Sequence, residues 1–393
     1  MKNNWNENFS VKWMSKKKSV TISSIILVII AAVVIATLYI SNLQIREWID
    51  IHILQKELEK NEAAVIELQT DANTEICAYD KYIGVLSKNT FQIYNSSGKT
   101  ENTLDIPINN VLFSNCNKFL GIAQNGGQNI YLISGQNIVW EDKVEGNISK
   151  ICVNKNGYMA VVISDTSYKT IVSLYNPNGK ELFKIFMSST RVADITISND
   201  NKYLALAEID TTSSVIKSNI KVISVENAQT DTENSVSFIY NANPGKLLIN
   251  IKYQDKNKLV CMYDDSIEII QDENNTQILN FADRKISFAS IEMNNEIAII
   301  EEKSSGLFTA DSEITFISTE NQKEITYTTN DVTKEIYSCS DIIALNLGPE
   351  LHFINKGGWL VKKYISGQEI NRVILSETLA GIVYRDKIEI VNL

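Results

Sequence analysis

The sequence contains few of the residues from which catalytic and metal sites are commonly built. Among 393 residues there are only 2 His and 5 Cys. Zinc and iron–sulfur sites need closely spaced thiolates or imidazoles. The cysteines of this sequence show no C-x-x-C spacing, which argues against such sites. The odd number of cysteines also prevents complete disulfide pairing within the chain. We therefore expect unpaired, mostly buried cysteines. The five thiols belong to Cys77, Cys116, Cys152, Cys261 and Cys339.

Proline and glycine are scarce, and the sequence has no excess of positive charge. Only 4 Pro and 16 Gly exclude collagen-like and low-complexity chains. The formal net charge of −10 excludes a basic surface for nucleic acid, so no nucleic-acid partner is predicted. A hydrophobic content of 44% still provides for a large core. The length predicts either two parts or one large repetitive domain.

Residues 20–40, VTISSIILVIIAAVVIATLYI, form a long uncharged run. About 20 apolar residues are what a helix needs to cross a bilayer, so we predict a single transmembrane helix here. A cleaved signal peptide is the alternative, but its apolar region is usually shorter and the small residues near Ala36 make a poor cleavage site. Residues 1–19 carry five lysines, which predicts a cytoplasmic tail and places the remainder outside the cell membrane.

Residues 41–69 contain no Gly or Pro and are rich in helix-forming residues, which predicts a short helical stalk. Apolar residues at Ile51, Leu54 and Leu58, followed by Asn61, approximate a heptad series. One interpretation is a parallel coiled coil that makes a homodimer. The other is a single helix lying on the folded domain. The end of the segment, around Val65–Gln69, could equally be a strand.

From about Thr74 the pattern changes to short β-type runs separated by polar turns. One unit reads ADITISNDNKYLALAEID and then IKVISVENA, a strand–turn–strand–loop–strand sequence, and others repeat it at roughly 40-residue spacing. Such units predict a β-propeller over residues 70–393, because a single blade cannot bury its faces alone. About eight four-stranded blades are expected, with seven as the competing number. The units begin near Ile76, Val111, Ile151, Ala193, Ile249, Phe288, Ile336 and Val373.

The last unit stops after its third strand, at Leu393. A strand from the start of the domain, around Val65–Gln69, would supply the fourth and remove the open sheet edges. The turn between first and second strands carries Asn and Asp, as in Asn199-Asp200-Asn201, because these residues tolerate left-handed backbone.

The phrase SNDNKYLALA, Ser198 to Ala207, resembles the blade motif Ser-x-Asp-Gly-Lys-x-Leu-Ala of WD40-like and quinoprotein-like propellers. The Gly-His and Trp-Asp dipeptides of WD40 repeats are absent, which favours the quinoprotein-like type. An N-terminal anchor before such a propeller is similar to uncharacterised single-pass envelope proteins of low-GC Gram-positive bacteria. The resemblance implies a fold and a location, and it implies no chemistry.

Quinone-dependent enzymes of this type hold their cofactor with a stacking Trp, a vicinal disulfide and a Ca²⁺ site. No two cysteines are adjacent here, so no cofactor is predicted. Trp140 and Trp359 are interpreted as blade-packing residues. His52 and His352 are poor candidates for a catalytic base, and His352 is interpreted as structural.

Paired acids are plentiful and could bind Ca²⁺ or act as an acid–base couple. We interpret them instead as solvated turn residues, since none shows the spacing of a Ca²⁺ loop. No catalytic, cofactor or metal residue is therefore assigned, and the binding residues stay unknown. The acids in question are Asp264, Asp265, Asp272, Glu273, Glu301, Glu302, Asp311 and Glu313.

Together these patterns predict a membrane-anchored, extracytoplasmic propeller that binds or scaffolds another envelope or secreted protein. The alternative is an enzyme, a hydrolase that attacks cell-wall polysaccharide with carboxylates facing the channel. Convergence of acidic side chains in the channel would favour the enzyme, and scattered acids on the rim would favour the binding module.

Overall fold

The computed structural model describes residues 27–40, 45, 49, 63–68, 74–212, 214–255, 258–271, 274–304 and 310–393. The chain divides into two compact units, Met1–Leu58 and Glu59–Leu393. In the first unit, residues 27–40 are helical. No helix within the described residues has both the length and the apolar character that crossing a bilayer requires. The predicted tail, the start of the predicted span and most of the predicted stalk lie outside the described residues.

The second unit is built from eight four-stranded antiparallel sheets, so the prediction of an eight-bladed β-propeller is confirmed and the seven-bladed alternative is wrong. Two short helices, Val225–Ala228 and the 3₁₀ turn Phe281–Asp283, lie in its loops. The first four blades are β2 (Glu75–Tyr79), β3 (Tyr82–Ser87), β4 (Thr90–Tyr94), β5 (Thr100–Asp105); β6 (Val111–Cys116), β7 (Phe119–Gln124), β8 (Asn129–Ser134), β9 (Asn137–Lys143); β10 (Asn147–Val153), β11 (Met159–Ser164), β12 (Thr170–Tyr175), β13 (Glu181–Met187); and β14 (Arg191–Ile197), β15 (Tyr203–Asp210), β16 (Lys217–Ser224), β17 (Val236–Asn241). The last four are β18 (Leu248–Asp255), β19 (Lys258–Tyr263), β20 (Ser266–Gln271), β21 (Asn274–Asn280); β22 (Ile286–Ser290), β23 (Glu296–Ser304), β24 (Ala310–Ser318), β25 (Glu324–Thr329); β26 (Glu335–Cys339), β27 (Ile342–Asn346), β28 (Glu350–Asn355), β29 (Leu360–Ile365); and β30 (Arg372–Leu375), β31 (Leu379–Val383), β32 (Lys387–Asn392), β1 (Ala64–Glu67).

The first strand of each blade lies at the centre of the ring. These strands contact one another in the orders β2–β6–β10–β14–β18 and β22–β26–β30–β2. Hydrogen bonds from Asn250 and Lys252 of β18 to Glu292, just after β22, link the two series. The ring is therefore closed around a central channel.

The eighth blade is completed by the N-terminal strand β1, which pairs antiparallel with β32. Ile66 of β1 lies opposite Ile388 and is 3% exposed, within an apolar cluster that also contains residues of blade 1. The prediction that a strand near Val65–Gln69 closes the ring is confirmed, with the bounds Ala64–Glu67. The helical prediction for residues 41–69 is wrong at these four residues. The reason is that Ile66 gains a buried cross-strand partner that an isolated helix could not provide.

Packing between blades follows from continuous apolar strands. β11 (MAVVIS) and β12 (TIVSLY) are buried along nearly their whole length, because each lies between two neighbouring sheets. One apolar cluster joins Val172 and Leu174 of blade 3 to Leu204 and Leu206 of blade 4. Each blade therefore depends on its neighbours for burial, as expected for a repeat architecture.

The turns between first and second strands use left-handed backbone, as the Asn and Asp residues there predict. Asp80, Asn117, Asn201 and Asn295 have φ of 47°, 52°, 63° and 56°. The Asn201 turn is the one that the sequence motif identified, between β14 and β15. Short polar side chains pay little steric penalty in this conformation, so they fix the repeat without a glycine.

A glycine in the hairpin after the third strand allows close packing on the preceding blade. Gly179 has φ +82°, and a Cβ added there would lie 2.8 Å from Cγ of Trp140 on β9. The Trp140 ring stacks on Tyr175 with ring centroids 5.4 Å apart. Trp140 is therefore a blade-packing residue, as predicted. Trp359 is partly buried and donates its backbone N–H to Asn355 in the corresponding hairpin of blade 7.

Candidate functional site

The central channel opens into a cavity of about 700 Å³ on the face that carries the turns between first and second strands. Its wall is formed by the ends of first strands from several blades, together with the turns that follow them. A second groove, of about 780 Å³, lies at the opposite ends of blades 1 and 2. The channel cavity is the stronger candidate site because charged side chains from several blades meet there.

The most buried charge of the channel is Asp194, in the middle of β14. Its side chain is 6% exposed, and its Oδ1 lies 2.5 Å from Nζ of Lys150 on β10. It also accepts the backbone N–H groups of Ile251 (2.8 Å) and Ile195 (3.0 Å). Burial raises the pKa of Asp194, and the Lys150 ammonium and the two N–H groups oppose this only in part. Asp194 thus connects blades 3, 4 and 5.

A second ion pair connects blades 5 and 6. Nζ of Lys252 lies 2.9 Å from Oε2 of Glu292 and also donates to the Glu292 carbonyl oxygen at 2.5 Å. The Asn250 amide donates to Oε1 of the same carboxylate at 3.2 Å. Burial alone would raise the pKa of Glu292, but the Lys252 ammonium and the Asn250 amide outweigh it, and the pKa is lowered. Glu292 is therefore a carboxylate at neutral pH.

Side chains of one blade also bind backbone groups of the next blade's first strand. Ser114 Oγ accepts the N–H of Val153 at 2.9 Å, and Thr196 Oγ1 accepts that of Tyr253 at 3.2 Å. These N–H groups lie on the free inner edge of the sheets, where an unpaired strand could otherwise add a further strand. Their use by neighbouring side chains makes strand addition inside the channel unfavourable at these positions.

The turns around the channel mouth are joined by amide side chains. Nδ2 of Asn154 donates to the Ser198 carbonyl at 3.1 Å, which links blade 3 to blade 4. Nδ2 of Asn199 donates to the Gln254 carbonyl at 3.4 Å, and Nε2 of Gln254 donates to Ile291 O at 2.9 Å. These bonds continue from blade 3 to blade 6 and hold the mouth in one shape.

Three further acids line the cavity, and two of them have partners within the protein. Asp341 lies 3.1 Å from Nζ of Lys356, and Glu377 accepts a hydrogen bond from Ser340 Oγ at 3.0 Å. Asp80 also lines the cavity. Across the part of the chain that the structure describes, no group of three or more His, Cys, Asp or Glu side chains is placed to hold a metal ion.

The acids singled out in the sequence do not line the channel cavity. Asp265 is 62% exposed beside Lys246, and Glu301 is bound by Arg284 at 2.8 Å in blade 6. Glu313 forms an ion pair with Lys303 at 2.6 Å. The cavity is not lined by Asp264, Glu302 or Asp311 either, and Asp272 and Glu273 lie outside the described residues.

The interpretation as solvated turn residues is wrong for Glu301, Glu302, Asp311 and Glu313, which lie in β23 and β24, and Glu301 is only 9% exposed. Regular strands hold Glu301 and Glu313 because Arg284 and Lys303 neutralise them.

Sequence reasoning missed Asp194 and Glu292, which both line the channel cavity. Each is a single acid in an apolar context, RVADITI for Asp194 and SIEM for Glu292. A lone charge inside a buried strand is costly unless it is paired, so the apolar run around Asp194 was an available signal; Glu292 follows the end of β22 and carries no such signal. The partner of each acid, on a different blade, could not be read from the sequence.

The cysteines are free, as predicted. Cys77 and Cys261 are buried in blades, whereas Cys116, Cys152 and Cys339 line the channel cavity. Burial raises the pKa of Cys116 to about 11 and that of Cys152 to about 12. These groups are neutral thiols at physiological pH and therefore poor nucleophiles.

His352 is held between two partners, which agrees with its predicted structural role. Its Nδ1 lies 3.0 Å from the Tyr327 hydroxyl and its Nε2 lies 3.2 Å from Glu350. Burial lowers the pKa of His352. His52 lies outside the described residues. The same contact, from a fourth-strand tyrosine to the third strand of the next blade, recurs as Tyr240–Glu268 and Tyr364–Glu389.

Residues 56–393 match a family of unknown function, DUF5711. The chain belongs to this family. No curated protein matches the chain. The match covers the whole propeller, so the DUF5711 match and the eight-bladed ring describe the same part of the chain.

Solved structures support the propeller fold of this DUF5711 protein. The dihydro-heme d1 dehydrogenase NirN, solved in complex with DHE, matches with a TM-score of 0.51 at 12% identity, covering 83% of this chain and 72% of that one. At this identity the likeness concerns the fold alone. Kuenenia stuttgartiensis hydrazine synthase gives a TM-score of 0.44 at 10% identity, covering 84% and 97% of the two chains. The Cps50 (Swd1) propeller of Myceliophteria thermophila gives 0.47 at 9% identity, covering 84% and 99%.

Proposed function

We propose that this protein is a membrane-anchored, extracytoplasmic propeller that serves as a protein-binding or scaffolding module of the cell envelope. Residues 20–40 would form its single span, with the N-terminus in the cytoplasm and the propeller outside. The uncharged run and the five lysines before it support this orientation. The partner would be another envelope protein or a secreted protein.

One observation carries the choice of a binding module over an enzyme. Asp194 and Glu292, two carboxylates that line the channel cavity, are each occupied by a lysine of a neighbouring blade. A carboxylate that already holds an ammonium and backbone N–H groups is poorly suited to take or give a proton. The pairs instead join blades to one another, and a rigid ring that presents loops on two faces suits binding.

The hydrolase alternative would require Asp194 and Glu292 as its acid–base couple. The raised pKa of Asp194 is the feature that such an enzyme would use. Asp194→Asn should then abolish release of sugar fragments from purified cell wall, while the binding-module proposal expects no such release from the unaltered protein. Detection of release that depends on both acids would favour the enzyme.

The location is tested by a protease site placed in the loop between β15 and β16, after Asp210. Intact cells treated with the protease should yield the cleaved propeller, because the proposal places this loop outside. A matched site in residues 1–19 should be cut only after the cells are lysed. The reverse pattern would contradict the proposed orientation.

The binding role is tested with a photo-reactive residue at exposed loop positions in intact cells. Ile216, in the β15–β16 loop, is 43% exposed. Crosslinks should give one defined adduct from positions on one face and none from a buried position such as Leu206. Crosslinks that are absent from all exposed positions, or that are unselective, would count against a specific partner.

We further propose that the segment before β1 dimerises the chain through Ile51, Leu54 and Leu58. Replacing Leu54 and Leu58 by Asp should convert a dimer to a monomer in detergent, measured by sedimentation. An unchanged mass would reject the dimer and leave the propeller proposal as it is.

A further inference from the structure

The channel cavity has the dimensions and lining of a small-molecule site. Its volume of about 700 Å³ falls within the range of roughly 300–1,000 Å³ typical of ligand pockets. Its wall holds five carboxylates and four lysines among the described residues, so the charges nearly cancel. A near-neutral wall gives little attraction to a strongly charged ligand. Amide side chains fill much of the space between the charges, including Asn115, Asn117, Asn250 and Asn294.

Three ion pairs, the third being Lys356–Asp341, neutralise six of the nine charged side chains of the wall. Lys150 lies 2.5 Å from Asp194, and Lys252 lies 2.9 Å from Glu292. A charged ligand group that bound at these two pairs would have to compete with the ion that each pair already contains. A hydroxyl group can instead donate to the carboxylate and accept from the ammonium of an intact pair. The wall therefore favours hydroxyl groups over charged groups.

The paired side chains remain accessible from the cavity. The exposed fractions of Lys150, Lys252 and Glu292 are 41%, 26% and 46%. The Lys150 ammonium donates to Asp194 and to Ala193 O, and that of Lys252 donates twice to Glu292. An ammonium has three N–H donors, so these contacts leave each lysine one for a ligand.

We infer that the channel cavity binds a neutral carbohydrate through vicinal hydroxyl groups that bridge the Lys150–Asp194 and Lys252–Glu292 pairs. Interleaved donors and acceptors in a fixed wall are what a sugar needs, since each hydroxyl both donates and accepts. The rigid amide contacts at the mouth preorganise the site and reduce the entropy cost of binding. This site is independent of the protein-binding faces proposed above.

The probes are maltotriose and N,N′,N″-triacetylchitotriose, titrated into the full-length protein in detergent and followed by saturation-transfer NMR and calorimetry. At least one should bind saturably. The double variant Lys252→Met/Glu292→Gln should weaken that binding about tenfold or more, because it removes charged hydrogen-bond partners. The matched control Lys303→Met/Glu313→Gln removes an ion pair outside the channel and should leave binding unchanged.

A variant that keeps every ion pair covers the case in which the double variant does not fold. Asn115 is exposed to the cavity, and Asn115→Trp should abolish binding by filling the space. Glycylglycine, a zwitterion, should neither bind nor compete. Absence of saturable binding by both sugars, equal loss in the channel and control variants, or competition by glycylglycine would each overturn the inference.

Discussion

Truncation of Ile66 tests whether the N-terminal strand closes the ring. Ile66 is 3% exposed and lies opposite Ile388, within an apolar cluster that joins blade 8 to blade 1. Ile66→Ala removes about three buried carbon atoms at roughly 0.8 kcal/mol each, and the remaining cavity adds to the loss. We expect the free energy of unfolding to fall by about 2–4 kcal/mol, measured by urea denaturation of the full-length protein.

The matched control is Val65→Ala in the same strand. Val65 is 42% exposed, so its truncation should cost less than about 1 kcal/mol. The alternation between the two neighbours exists only if β1 is a strand with one face buried against the ring. Equal effects of the two substitutions, or no effect of either, would refute the closure that we describe.

Three further predictions concern single sites. Gly179→Ala should destabilise the protein by about 1–3 kcal/mol in thermal unfolding, because φ of Gly179 is +82° and an added Cβ would contact Trp140. The control is Gly135→Ala, where the backbone is also left-handed but an added Cβ meets no atom within 4 Å, so this substitution should cost less. Burial raises the pKa of Glu296 to about 7, so the native state keeps a proton that the unfolded state loses above about pH 4.5. Stability should therefore decline as the pH rises from about 4.5 to 7, and Glu296→Gln should be more stable than the parent by about 1–3 kcal/mol at pH 8 but not at pH 4. Burial raises the pKa of Cys116 to about 11, so iodoacetamide at pH 7.5 should label it more slowly in the native protein than in urea; equal rates would contradict its neutral thiol form.

The blades could be predicted from the sequence because each of them has the same local pattern of apolar strands and polar turns. An apolar run such as MAVVIS has the length of a buried strand and is too short for a typical helix. Asn or Asp in the turn between the first and second strands indicates where the chain reverses. The incomplete last unit and the β-branched residues around Val65 even indicated how the ring closes. These signals are local, so one sequence suffices to read them.

The channel could not be predicted in the same way. Its contents depend on which first-strand residues lie side by side on different blades, as with Lys150 and Asp194, which are 44 residues apart in the chain and 2.5 Å apart in space. The acids singled out in the sequence are neighbours along the chain, and none of those that the structure describes lines the channel cavity. Closeness along the sequence therefore did not identify the candidate site, which is formed by contacts between different blades.

The central claim is that a ring closed by β1 lies outside the membrane, and one engineered disulfide tests both parts. Val65 and Glu389 are direct cross-strand partners, so a Val65→Cys/Glu389→Cys variant in a background without the five native cysteines should form an intramolecular disulfide. In intact cells, a reductant that does not cross membranes should break that bond, seen as a mobility shift on a non-reducing gel. A bond that does not form even when the purified protein is oxidised would contradict the closure, and a bond that is absent in intact cells but forms on oxidation after lysis would contradict the location.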